Sequence, residues 1–286
     1  MLESWLGTIS PAKFLRDVYL QKPYAVERGA TPVISNLSWE TFWRVLPDCT
    51  AADLMVVRDG RLRLGSDPKT VPEGQALFQA GYSLVLRHAE RHDVGLGTLA
   101  LSFAEEFWAP VAIQLYATPK QHTSFGWHYD AEEVFILQTV GTKRYLLREN
   151  TVRPRPLVDA IPQDMEFEKE HSPVTRCDLG PGDWLYVPSG FWHIARAEAD
   201  SLSISIGVAA ATAMDLFDEL RNSFAKSAAW RQRLAPLGPH RAFMNELVEE
   251  ATRILEDART VESAIDEVRR KYALRHGALS ESPKEV

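Results

Sequence analysis

His128 and Asp130 stand two residues apart in the run GWHYD (126–130), and His193 closes the run GDWLYVPSGFWH (182–193) far downstream. A chain that uses all three side chains on one ion must fold so that two distant strands meet. Alternate residues of a strand share a face, so His128 and Asp130 project together while Tyr129 points the other way. Turns at Gly182-Asp183 and at Pro188-Ser189-Gly190 would then deliver His193 from a second strand. A double-stranded barrel provides that meeting.

Two neutral imidazoles and one carboxylate occupy one face of a divalent ion and leave open positions, the arrangement in which non-haem Fe(II) oxygenases hold iron. The competing reading makes both histidines satisfied core residues and Asp130 a loop carboxylate. The metal reading is favoured because both runs match in context as well as in residue type. His88 and His92 are spaced to share a helix face, but there is no HExxH and no third ligand, so they read as a solvated face. His122, in PKQHTSFGW, is expected at the pocket mouth. His171, His240 and His276 read as surface residues.

The region from about 110 to 210 supports a barrel. VAIQLYAT, EVFILQTV, KRYLLRE, DWLYVP and SLSISIGV are short, aromatic or β-branched, and separated by Gly, Pro and Asp. Residues 1–85 mix short elements. PAKFLRDVYLQK (11–22) has helical spacing, with Ser10 as N-cap and Pro11 at the first position. KPYAVERG reads as an entering strand. SWETFWRVLP (38–47) is a helix capped by Ser38 and stopped by Pro47. Asp59-Gly60 in LMVVRDGRLRLG is a strong hairpin signal. From about 83 to 105 the pattern reads as helix, first SLVLRHAERHD and then Leu99 to Phe107. After residue 211, MDLFDELRNSF, HRAFMNELVEEATRILED and ESAIDEVRRKYAL show amphipathic spacing, and GALSESPKEV reads as frayed. The expected fold is mainly β with helices: a double-stranded β-helix (jelly-roll or cupin) core over 86–210, an N-terminal α/β cover over 1–85, and a helical tail over 211–286.

Composition excludes several classes. The 286 residues are 45% hydrophobic and 25% charged, enough for a substantial core. A formal net charge of −7 argues against sequence-independent nucleic-acid binding, though not against a local basic patch or a basic protein partner. Cys49 and Cys177 have no CxxC spacing, so neither a disulfide framework nor a thiolate zinc site is expected. No secretion signal or membrane span is apparent, so the expected location is cytoplasmic.

The segments YATPKQHTSFGWHYDAEEVFILQTVGTKRYLL (116–147) and PGDWLYVPSGFWHIA (181–195) resemble the JmjC family of Fe(II)- and 2-oxoglutarate-dependent oxygenases, most of all its cupin-type branch of ribosomal oxygenases and asparaginyl hydroxylases. The resemblance covers roughly residues 10–210. It implies Fe(II) on His128, Asp130 and His193, and 2-oxoglutarate as cosubstrate. It also implies that Lys143 pairs with the far carboxylate of 2-oxoglutarate, while Arg144 points away. Ser205, Ser203, Tyr116 and Gln114 are further candidates on the cosubstrate side. Ser124, Phe125, Trp127, Glu132 and Trp192 are candidates for the substrate pocket, and Phe191 for its wall. Phe125 stands where some members carry a hydroxyl residue. The resemblance implies that ribosomal oxygenases continue into a winged-helix region; no counterpart is expected from the residues after the helical tail, which loosens the ribosomal substrate expectation.

The implied reaction turns 2-oxoglutarate and O2 into succinate and CO2 and hydroxylates a C–H bond. The implied target is a protein or peptide side chain, and Glu132 and Glu133 would suit a basic one. A small-molecule hydroxylase and a metal-binding cupin without oxygenase activity remain as alternatives. The apolar stripes Leu216, Leu220, Phe224 and Phe243, Leu247, Leu255 suggest a homodimer through the C-terminal helices.

Overall fold

The computed structural model describes residues 2–34, 38–65, 68–156, 166–233 and 240–280. The chain divides into two compact units, Met1–Phe107 with Val111–Ala209, and Trp108–Pro110 with Ala210–Val286. The first unit runs α1 (Leu2–Trp5), α2 (Pro11–Asp17), β1 (Tyr24–Val26), α3 (Thr31–Ile34), α4 (Trp39–Val45), β2 (Leu54–Arg58), β3 (Arg61–Leu62), α5 (Val71–Gln79), β4 (Ser83–Leu86), α6 (Val94–Phe107), β5 (Val111–Thr118), β6 (Glu133–Val140), β7 (Lys143–Arg148), β8 (Val174–Leu179), β9 (Trp184–Val187), β10 (Trp192–Ala197) and β11 (Ser201–Val208). The second holds α7 (Ala213–Lys226), α8 (His240–Glu256) and α9 (Ala258–Ser280).

Local signals place several boundaries. Ser10 accepts from the Lys13 amide at 3.3 Å and Pro11 fills the first helical position, but α2 ends at Asp17, short of Lys22, because Val18 turns to φ −128°. Ser38 precedes α4 without a side-chain cap bond. Asp59 (φ 48°) and Gly60 (φ 80°) both adopt left-handed backbone, the requirement of the tight turn joining β2 to β3. Ser83–Leu86 is a strand, not the expected helix: it pairs with β2 on one side and β5 on the other, and all four residues are buried. His88 follows in left-handed backbone (φ 52°), so His88 and His92 do not share an α-helical face.

The strands form an eight-stranded sheet, β1-β9-β6-β11-β5-β4-β2-β3, and a three-stranded sheet, β10-β7-β8, with antiparallel pairing throughout. This is the double-stranded β-helix of cupin type. The region expected to be a separate cover thus contributes β1, β2, β3 and most of β4 to the same sheet as the barrel strands. Period-2 alternation gives each strand two environments. On β6 and β9, Phe135, Trp184 and Tyr186 meet Trp5, Phe14 and Phe103 from α1, α2 and α6. The intervening Val134, Ile136, Leu185 and Val187 pack against Tyr145, Leu147 and Leu179 of the smaller sheet. On β5 and β11 the alternation is polar: Ile113, Leu115, Ile204 and Ile206 are buried on one side, and Tyr116, Ser203 and Ser205 face a pocket on the other.

Trp184 is fully buried, its indole N–H donating to the Trp5 carbonyl at 2.8 Å. Trp184→Ala is expected to cost about 3–5 kcal/mol, read as a drop in the urea midpoint at unchanged slope.

In the second unit, Leu220 and Phe224 pack with Ile254 and Ala264, with Leu216 partly buried beside them. The Leu216–Leu220–Phe224 stripe is therefore covered within its own unit, contrary to the exposed stripe expected. Leu255 of the second expected stripe is exposed, and so are Met214, Phe217, Met244 and Val248. The helix α9 runs to Ser280, into the segment read as frayed, and the residues beyond it lie outside those described.

Candidate metal centre

His128 meets His193 of β10 at a single antiparallel bridge. His128 and Asp130 lie in the connection between β5 and β6, not on the strand expected, because the chain at these residues makes only that one bridge. His128 N–H donates to the His193 carbonyl at 3.1 Å, and His193 N–H returns the bond at 2.8 Å. The turn before His193 is tied to the same segment, since Gly190 N–H donates to the Asp130 carbonyl at 2.8 Å and the Ser189 hydroxyl to the Ala131 carbonyl at 2.9 Å. Gly190 (φ 81°) lies against Pro156, where a Cβ would come within 2.6 Å of Pro156 Cδ.

One ligand atom from each of His128, Asp130 and His193 lies within 4.8 Å of the others, with His193 Nε2 3.6 Å from Asp130 Oδ2. Both rings are aimed by the main chain. His128 Nδ1 is 2.8 Å from the Gly126 carbonyl, and His193 Nδ1 3.0 Å from the Phe191 carbonyl. A carbonyl only accepts, so each Nδ1 carries the proton and each Nε2 keeps a free lone pair. Burial, then His128, lowers the His193 pKa to about 4 against the pull of Asp130, which keeps that ring neutral near pH 7. The donor set fits a divalent transition metal.

The pocket beside these ligands is lined by Tyr116, Ser124, Phe125, Tyr145, Lys143, Ser203 and Ser205, with Val134, Ile136 and Ala195. Lys143 is 3% exposed; its Nζ donates to Ser203 Oγ at 2.9 Å and lies 5.4 Å from the Tyr116 ring centre. No carboxylate stands within ion-pair distance of it among the described residues. Burial pulls its pKa down to about 7. A buried cation with a hydroxyl for company fits an arriving anion. Burial, then Asp130, raises the Tyr116 pKa, so its phenol stays protonated and donates to Gln114 Oε1 at 3.0 Å. Arg144 points away and pairs with Asp178 and Glu198.

Other expected site residues lie elsewhere. Trp192 alternates with His193 and faces the opposite side, buried edge-on against Tyr129 at 4.8 Å. Trp127 stacks on Phe167 at 4.3 Å and does not line the pocket. Phe191 packs on the inter-sheet core. The Glu132 carboxylate lies over Gly207, where a Cβ would meet its Oε2 at 2.0 Å. Glu133 is not a surface acid: it is buried, accepting from the Tyr186 hydroxyl and from Ser189 N–H at 3.3 Å. Burial raises its pKa against those two bonds. His122 does not line this pocket; it stands 3.3 Å from Asp59 and borders a separate groove. Tyr145 was missed by the sequence reading, although its place two residues after Lys143 on β7 puts both on one face.

An antiparallel double-stranded β-helix with a facial His-Asp-His cluster is the framework of a cupin-type metalloprotein. A JmjC domain is matched over residues 99–216. A Drosophila persimilis protein named bifunctional lysine-specific demethylase and histidyl-hydroxylase NO66 is 30% identical over 217 residues, 73% of this chain and 31% of its own length. Ribosomal oxygenase 1 of Rattus norvegicus is 32% identical over 210 residues, 69% of this chain and 34% of its own. The structure of Escherichia coli YcfD, described as a ribosomal oxygenase in complex with cobalt and 2-oxoglutarate, superposes with a TM-score of 0.56 at 18% identity, covering 98% of this chain and 73% of that one. That likeness speaks for the fold. The chain spans about a third of the length of the two curated relatives named here. The chain carries a JmjC domain over residues 99–216, and its similarity runs to the ribosomal oxygenase branch.

Proposed function

We propose that this chain is an Fe(II)- and 2-oxoglutarate-dependent oxygenase that hydroxylates a protein or peptide side chain. The observation that carries the reading is the pairing of two sites in one pocket: a facial His128-Asp130-His193 set and, deeper, a buried Lys143 with no carboxylate partner among the described residues. Iron and 2-oxoglutarate, when bound, supply an oxidant from O2 that hydroxylates an unactivated C–H bond, releasing succinate and CO2. The chain's own groups bind and orient. His128, Asp130 and His193 hold the metal, and Lys143 with Ser203 receives the far carboxylate of 2-oxoglutarate. Tyr116 and Ser205 line the cosubstrate side of this pocket, and Gln114, which does not line it, holds the Tyr116 hydroxyl. Phe125 and Tyr145 limit water around the reacting atoms.

Relatives named as protein-modifying oxygenases favour a protein target over a small molecule. The exposed Met214, Phe217, Met244, Val248 and Leu255 support a homodimer through the C-terminal helices. No helix among the described residues is long and apolar enough to cross a membrane, and a cytoplasmic location is proposed with the rest.

Adding 2-oxoglutarate without oxygen to the Fe(II)-loaded protein is expected to produce a weak visible charge-transfer band. Bound metal with no band would leave a metal-binding cupin instead. A gain of one oxygen on a peptide, seen by mass comparison with and without the gene, supports a protein target; the same gain on a metabolite supports the small-molecule alternative.

A further inference from the structure

Away from the metal pocket, the β2–β3 hairpin concentrates positive charge. Arg58, Arg61 and Arg63 line one groove with Tyr82. The guanidinium carbons of Arg63 and Arg58 lie 5.0 and 5.7 Å from the Tyr82 ring centre. A guanidinium held over a ring keeps N–H edges available to anions. Asp59, the carboxylate in this groove, pairs with Arg58 at 3.8 Å and is also engaged by His122 Nδ1 at 3.3 Å and by the Thr123 amide at 3.2 Å, which leaves Arg61 and Arg63 as the arginines of the groove with charge to spare. Arg61 and Arg63 have no carboxylate within ion-pair distance among the described residues. The groove is therefore cationic on a chain whose formal charge is −7.

His122, the partner of Asp59, also borders a second groove, where Trp39, Trp43 and Phe78 stand with Gln75 and Gln79. The two charged residues of that groove are of opposite sign, Lys120 and Asp200, and the Asp200 carboxylate accepts from the Lys120 amide at 2.8 Å. Trp39 and Trp43, one turn apart on α4, are stacked with planes 16° apart and ring centres 5.9 Å apart, and Phe78 meets both edge-on. A ligand crossing both grooves must offer anions to the arginines and flat apolar faces to the indoles. An acidic peptide supplies the anions without the repeating flat faces. An unpaired nucleic-acid strand supplies both, a phosphate and a base at each step.

We propose that the arginine hairpin and the adjoining tryptophan groove bind single-stranded nucleic acid. The bases must be unpaired to reach the indoles, and the net negative charge elsewhere confines contact to this patch. The proposal is independent of the oxygenase reading, because none of these residues touches the metal pocket.

The test is fluorescence anisotropy of end-labelled RNA and DNA oligonucleotides against the full chain over a series of salt concentrations. Binding that weakens with salt is expected, accompanied by quenching of indole fluorescence. In Arg61→Ala/Arg63→Ala the slope of log affinity against log salt should shrink by about 1.4, two phosphate contacts at roughly 0.7 each for a single strand, with the melting temperature unchanged. Binding of either oligonucleotide with these properties sustains the proposal. Binding of neither at low salt overturns it. So does an unchanged slope in the double variant, binding without indole quenching, or equal competition by a polyglutamate peptide.

Discussion

Asp130→Ala is expected to weaken metal binding by more than about a hundredfold and to abolish turnover with it. Loss of groups that merely orient metal ligands typically costs 10–100-fold, and Asp130 is the single anionic member of the set. Its removal leaves two neutral imidazoles facing a dication. The side chain is partly open to solvent, 29% exposed, so the fold should survive with little change in melting temperature. Titration with Co(II), followed by its visible spectrum, measures the affinity, and succinate release measures turnover. An affinity within about threefold of the unaltered protein would remove Asp130 from the ligand set.

Lys143→Met is expected to weaken 2-oxoglutarate binding by roughly 10²–10³-fold while leaving metal affinity nearly unchanged. Truncating one partner of a buried charge pair costs about 2–5 kcal/mol, and Lys143 is the buried cation of this pocket. The same residue predicts a pH signature. Burial lowers its folded pKa to about 7, from 10.5. Between those values the unfolded chain binds the additional proton, so the stability of the ligand-free protein rises with pH across the window, and the penalty of the buried charge is fully present below it. Lys143→Met should flatten that rise, measured by urea unfolding at either end of the window. A bound dicarboxylate favours the charged form, so binding within the window should take up a proton. Calorimetry in buffers of different ionisation enthalpy would show this as a buffer-dependent heat.

Much of the barrel was legible because its strands obey period 2 with unlike faces. In VAIQLYAT and SLSISIGV the residues that became the apolar layer alternate with those that face the pocket, so both strand and orientation could be read. Strand period does not account for the grouping of His128 with Asp130, because His128 lies outside the named strands at a single bridge to His193. SLVLRHAERHD failed because Ser83–Leu86 is buried at every position, and a short uniformly apolar run carries no periodicity to separate strand from helix. Trp192 and Glu133 failed for a related reason. Each is close in sequence to a metal ligand, but nearness along a strand does not imply a shared face: Trp192 lies under Tyr129, and Glu133 turns toward Tyr186. The C-terminal stripes were read correctly as apolar, but sequence does not say whether a helix covers its face with its own neighbours, as Leu220 and Phe224 do.

Gly126 and Phe191 set the posture of the two imidazoles through carbonyls that no side-chain substitution removes. The aim of the ligands is thus written into the main chain before any ion arrives. A frame fixed in that way receives Mn(II), Co(II) or Ni(II) in much the same pose as Fe(II). Occupancy then follows affinity and the abundance of each ion in the surroundings. Preparations of this protein should carry the metal history of the cells that made them, and a silent preparation should be one that reloading can wake.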